Sequence, residues 1–158
     1  MILDQSLVLF DNTAITATVA SNIIDLRATG NATLATGSYG VGAGTPVYLV
    51  VGTPTGYTAG ATIDFVVRTS DSLSSGALSS PTTLYDSGTL TASATVLATG
   101  TYQFAVILPV SGVKQYLDIN ATVGGTSITA GNTNAYLTDA VPSLNIPLYS
   151  INSGASVV

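Results

Sequence analysis

Short segments of alternating apolar and polar residues recur along this chain and constrain its fold more than any other feature. In segment 61–70, for example, Ile63, Phe65 and Val67 fall on one face of an extended backbone. A period of two residues is typical of a β-strand with one buried face. The predicted strands are 6–10, 14–19, 22–26, 47–51, 61–70, 82–88, 102–109, 116–123, a brief one at 127–129, and 134–139.

The residues that usually cover helix surfaces are nearly missing. Glu is absent and Lys occurs once, whereas Thr, Ser, Gly, Ala and Val dominate, and the β-branched members of that set favour pleated sheets. Gly, Asn, Asp, Ser and Pro separate the segments and supply turns. We therefore predict an all-β protein, specifically an antiparallel β-sandwich of jelly-roll type, with a closed barrel as the alternative.

The 158 residues correspond to about one domain. We assign residues 1–140 to the jelly-roll domain, with a Gly-rich loop excursion at 29–46, and treat the polar stretch 71–81 as a loop. Residues 141–158 are either a final strand folded over the sandwich or an arm that docks on a neighbouring subunit. The candidate interface residues of this segment are Leu144, Ile146, Leu148, Tyr149 and Ile151.

The chain has few groups with which to perform chemistry. His and Cys are absent, which removes the commonest general bases, activated nucleophiles and transition-metal ligands. Asp64, Asp71, Asp86 and Asp118 are the candidates for a carboxylate pair, but none lies in a recognisable motif. One Asp per strand is more typical of a solvated face. We predict no enzymatic activity, no cofactor and no metal.

Charge and hydropathy exclude two classes of partner. The net charge is −5, and Arg27, Arg68 and Lys114 are the only bases, too few to form the basic stripe that nucleic acid or an anionic membrane requires. The longest apolar runs, such as 104–110, are much shorter than the roughly 20 residues of a membrane-spanning helix.

Two predicted strands, 47–51 and the strand that contains 104–109, are apolar on both faces. A sandwich that stands free in water shows polar residues on its outer faces. A long loop, the C-terminal segment or another chain is therefore expected to cover these strands. The chain has eight Tyr and no Trp, and Tyr is favoured where proteins touch.

Four stretches of the chain, 3–26, 47–51, 66–88 and 114–139, resemble the small cement, or decoration, proteins of tailed-phage capsids, in particular the Bordetella-phage type. The resemblance rests on the opening LDQSLVLFDN, the middle TSDSLSSGALSSPT and the later YLDINATVGGT. Phe10 stands where the family pattern has Ser, and KQYLDIN lacks the arginines of that pattern.

This resemblance implies a jelly-roll domain that binds outside the major capsid protein shell and clamps neighbouring capsomers. It implies a homodimer at or near two-fold positions, with a trimer that exchanges its tails as the alternative, and it carries over no catalytic residues. The expected location is the outer surface of the virion. The competing hypothesis is a receptor- or carbohydrate-binding sandwich of a phage fibre or bacterial surface protein, against which the absence of Trp weighs.

Overall fold

The computed structural model describes residues 7–26, 46–108 and 112–140, together with the backbone of residues 148–150. Its strands are β1 (Val8–Ala14), β2 (Val19–Ala20), β3 (Ile24–Asp25), β4 (Tyr48–Thr55), β5 (Ala61–Ser70), β6 (Leu73–Ser74), β7 (Ala77–Leu78), β8 (Thr82–Thr91), β9 (Thr101–Ile107), β10 (Tyr116–Gly125), β11 (Asn132–Thr138) and β12 (Leu148–Ser150). The described residues contain no helix long and apolar enough to cross a membrane.

The strands form two sheets and a small separate hairpin. Sheet 1 has the order β1-β11-β4-β9-β12, and sheet 2 has the order β2-β10-β5-β8, with β3 also paired to β10. The described pairs are antiparallel apart from β12, which runs parallel to β9. The all-β antiparallel sandwich predicted from the sequence is thus confirmed, whereas its jelly-roll connectivity stays a prediction.

The hydrophobic core lies between the two sheets. β5 and β10 pair along ten residues, and the alternation of both strands sends Ile63, Phe65, Val67, Leu117, Ile119 and Ala121 to the same side, where none has any exposed surface. From sheet 1, the ring of Phe104 meets the ring of Phe65 edge-on at 6.2 Å between centroids. The inward faces predicted for these strands are therefore correct.

Two predicted strand ends are wrong. Asp11-Asn12 was expected to end the first strand, but β1 continues to Ala14 through irregular pairing, with Asn12 at φ 45°. Likewise β8 continues past Asp86 to Thr91, with Gly88 at φ 64° and shifted pairing to β5. Residues that accept positive φ serve a β-bulge as readily as a turn.

Four further expectations need correction or lie outside the described residues. Residues 14–19 do not form a continuous strand, because pairing with β10 begins only at Val19, and 127–129 is not a strand. The stretch 71–81, predicted to be a loop, contains the hairpin β6–β7. Apart from Pro46, the excursion 29–46 lies outside the described residues.

Candidate protein-contact surfaces

The outward face of sheet 2 carries a nearly buried ion pair. Asp118 and Arg68 lie directly opposite each other on β10 and β5. The guanidinium donates through Nε to Oδ1 at 2.9 Å and through Nη2 to Oδ2 at 2.6 Å. The Asp118 side chain is only 2% exposed and that of Arg68 24%. Such a bidentate pair satisfies the carboxylate and fixes both side chains, which makes it a structural feature.

Asp64 and Asp86 approach each other on the same face, at the bulge of β8. Burial raises the pKa of the Asp64 carboxyl, and the nearby Asp86 carboxylate raises it further. The Ser87 hydroxyl donates to Asp64 Oδ1 at 3.4 Å and opposes this rise. The structure therefore brings together two of the four aspartates that the sequence singled out.

The other two aspartates are paired with bases. Asp118 binds Arg68, and Asp71 Oδ2 lies 3.7 Å from Lys114 Nζ at an exposed site. Within residues 7–26, 46–108 and 112–140, no three acidic side chains are grouped so that they could hold a metal ion. Asp118 and Asp71 are thus each held next to a base.

In sheet 1, β4 and β9 are apolar on both faces where Val50 and Ala105 meet, in agreement with the sequence prediction for these two strands. Leu49 and Val51 belong to the core, so Val50 between them points to the opposite face; Ala105 lies directly across from it on β9. Neither Val50 nor Ala105 has any exposed surface. The outer face is therefore covered within a single chain at this point, and these two residues are not free to contact a partner.

Tyrosines continue this covered outer face. A side chain at Gly52 would begin 3.1 Å from Cδ1 of Tyr102, so the absence of a Cβ lets the ring lie against the strand. Burial raises the pKa of Tyr136 to about 12, with hydrogen bonding to Tyr102 adding to the effect. Both tyrosines pack along the sheet, and Tyr136 keeps its proton at neutral pH.

The C-terminal segment contributes one described element, β12. Leu148 pairs with Ala105 and Tyr149 with Val106 on the outer edge of β9. Of the predicted interface residues, Leu148 and Tyr149 therefore lie in an edge strand of sheet 1. Leu144, Ile146 and Ile151 lie outside the described residues.

An exposed element of the structure is the hairpin β6–β7, which follows the end of β5. Leu73 pairs with Leu78 and Ser74 with Ala77, around a two-residue turn in which Ser75 has φ 50° and Gly76 φ 78°. Two consecutive positive φ values define the type I′ turn that suits a tight β-hairpin. Residues 71–77 are all exposed, and the Leu73 side chain is 42% exposed.

The base of this hairpin is held by a buried hydroxyl. Ser70 is 1% exposed; its Oγ contacts the Ser79 carbonyl and accepts a hydrogen bond from the Ser72 amide at 3.2 Å. The Ser79 amide donates to the Ser72 carbonyl at 2.9 Å. These hydrogen bonds hold the base of the hairpin next to the end of β5.

Sequence reasoning missed this surface because each of its strands has only two residues, too few to show a period. The local signal is nevertheless present in LSSGAL, where Ser75-Gly76 separates two Leu residues at matched distances. A Gly-containing two-residue turn between apolar residues favours a hairpin.

The described residues thus define an all-β antiparallel sandwich. The Bbp16 family model matches residues 9–137, well over half of the chain, and the chain belongs to that family, which is a Bordetella phage protein family. The matched range starts and ends at the core residues Leu9 and Leu137. A comparison with curated proteins gave no match.

Proposed function

We propose that this protein is a structural component of a phage virion that binds the outside of the capsid and reinforces contacts between major capsid protein subunits. The observation that carries the proposal is the match to a Bordetella phage family across the whole described sandwich core. Its action needs no turnover, so we also propose that it is not an enzyme.

The surfaces described above support this role. Reinforcement of a shell requires many copies of a modest contact, since multivalent attachment raises the total holding strength without new chemistry. A β-domain whose strands and hairpin are already hydrogen-bonded loses little conformational entropy on docking. The charged pairs stabilise the fold, and so the contact with the capsid is expected to be largely uncharged.

The partners that we propose are the major capsid protein and a second copy of this chain, as a homodimer. A trimer that exchanges its C-terminal segments is the alternative, in which β12 of one copy would pair with β9 of the next. Light scattering of the purified protein measures the mass and separates these two states.

The test of function is addition of the purified protein to empty heads that lack it. Attachment should saturate at a fixed ratio to capsid subunits and should not be inhibited by glycans. Saturable glycan binding without affinity for heads would instead support a receptor- or carbohydrate-binding module and would contradict the capsid role.

A further inference from the structure

We propose that the outer face of sheet 1 is the docking surface for residues 141–147 of the same chain, which lie over Val50 and Ala105. The occupant of this apolar face is therefore a segment of the protein itself. The inference is carried by the strand order, by the burial of two outward side chains, and by where the segment begins and ends. It does not depend on the proposed function.

The strand order requires the chain to pass two strands between β11 and β12. β11 ends at Thr138 and β12 begins at Leu148, and β4 and β9 lie between them in sheet 1. Both β11 and β9 are antiparallel to β4, and β12 is parallel to β9, so β11 and β12 run in the same direction. Such strands need a crossover connection, which lies against a face of the sheet. The core occupies the inner face, which leaves the outer face.

Two outward side chains of sheet 1 are covered completely. Val50 and Ala105 lie opposite each other on β4 and β9, and neither has any exposed surface. Sheet 2 lies on the other side of sheet 1 and does not cover them. The neighbouring Tyr102 and Tyr136 are themselves partly exposed, and side chains of one sheet stand roughly perpendicular to it. A further layer is therefore needed to exclude water from Val50 and Ala105.

The ends of the segment lie on either side of these two residues. Ala140 follows β11 on one side of β4, and Leu148 pairs with Ala105 on the far edge of β9. Three strand spacings, roughly 14 Å, separate β11 from β12, and seven extended residues span at most about 25 Å. The segment is thus long enough for the direct route over the outer face and has little length for a detour.

Composition suits the segment to an apolar surface. Its sequence, VPSLNIP, contains no charged residue and includes Val141, Leu144 and Ile146. Pro142 and Pro147 have no N–H group, which leaves fewer backbone donors to be satisfied where water is excluded. A segment held on this face also has an outward side, which can meet the neighbouring subunits proposed above.

The excursion at 29–46 is a poorer occupant of the same face. Before it, the amide of Leu26 donates to the carbonyl of Gln115, next to β10 of sheet 2. After it, the chain enters β4 at Tyr48. One end of the excursion therefore adjoins sheet 1, whereas both ends of residues 141–147 do.

Because the chain has no cysteine, cross-linking in the full-length protein tests this contact. Val50→Cys/Leu144→Cys places one thiol on the outer face and one in the segment. The matched control, Val51→Cys/Leu144→Cys, moves the first thiol to the inner face, where Val51 is equally buried. The reagent is a bis-maleimide that spans the roughly 10 Å between packed layers. We expect an intramolecular link to form about tenfold or more faster in the first variant, because proximity raises the effective concentration of the second thiol.

The other results would overturn the inference. A link that joins two chains would place the segment on a neighbouring copy. Absence of a link, or equal rates in the two double variants, would mean that something else covers Val50. Should either variant misfold, Ala105→Cys/Ile146→Cys with its control Val106→Cys/Ile146→Cys gives the same test on β9, and equal rates there would be equally decisive against the contact.

Discussion

At the scale of single residues, sheet 2 carries two pairs of ionisable side chains. The Arg68–Asp118 pair stabilises the fold, whereas the charge of Asp64 beside Asp86 destabilises it. Asp118 is almost without exposed surface, and its two oxygens are met by the guanidinium of Arg68. Asp64 shares its surroundings with a second carboxylate. Opposite effects on stability follow from neutralising each site.

Arg68→Ala should destabilise the protein strongly, because it leaves the Asp118 carboxylate buried and unpaired. Loss of one partner of a buried pair costs about 3–5 kcal/mol, and this should appear as a lower urea midpoint with an unchanged slope. Lys114→Ala breaks the exposed pair with Asp71 and should cost no more than about 1 kcal/mol. Equal losses for the two variants would contradict this distinction.

Asp64→Asn should stabilise the protein at neutral pH. The pKa of Asp64 is higher in the folded state than in the unfolded chain, so its contribution to stability is complete below the unfolded value of about 3.9 and is lost as the pH rises through the folded value. Removal of the charge should therefore add a few tenths to about 1 kcal/mol at pH 7.

Urea midpoints measured between pH 3 and pH 7 test whether the charge of Asp64 destabilises the folded protein. The advantage of Asp64→Asn over the unaltered protein should disappear at the acidic end. A stability gain that persists unchanged at pH 3 would refute the assignment.

At the scale of elements, the register of β10 on β5 decides whether the core forms. Ile119 is fully buried opposite Val67, so Ile119→Asp places an unpaired charge in the core. We expect the free energy of unfolding to fall by more than about 4 kcal/mol, a loss typical of severe core defects. Circular dichroism should show an unfolded chain. Thr83→Asp, exposed on β8 opposite Arg68, should remain folded. A folded Ile119→Asp protein would contradict the register.

Long strands with an alternating pattern were predictable from the sequence, and strands of two residues were not. β5 was predicted with its observed ends, Ala61 and Ser70, because apolar residues recur at every second position, at Ile63, Phe65 and Val67. The β6–β7 hairpin was missed since its strands are two residues long. The bulges at Asn12 and Gly88 were mistaken for strand ends, because sequence alone does not show whether a residue with positive φ reverses the chain or only bends it.

The candidate site was less predictable than the fold. The sequence indicated contact residues in the C-terminal segment, of which the structure describes only the backbone of Leu148 and Tyr149. The exposure of Leu73 on the β6–β7 hairpin was not predicted. Exposure depends on how the whole chain packs, which a local sequence pattern does not show.

At the scale of the whole molecule, the described core residues all precede the C-terminal segment, residues 141–158. The described core runs from Leu9 to Leu137, and β12 adds three residues on the edge of β9. Deletion of residues 142–158 should therefore weaken oligomerisation or attachment to heads more than it weakens folding, since the core contacts are kept.

Light scattering measures the oligomer mass after this deletion, and occupancy on heads measures attachment. Thermal unfolding measures the stability of the fold. A shorter deletion, residues 151–158, keeps β12 and serves as the control. An unchanged mass together with unchanged occupancy after the longer deletion would count against a docking arm.

The irregular pairing of β1 and β8 has a consequence for how copies can be arranged. These strands lie at the ends of the two described sheets, and the bulges in each disturb the even spacing of amide and carbonyl groups that an incoming strand would need. Along these two edges, copies of the protein are thus poor templates for strand addition by one another. If the protein covers a capsid as we propose, the regular spacing of its copies would follow the lattice of capsid subunits.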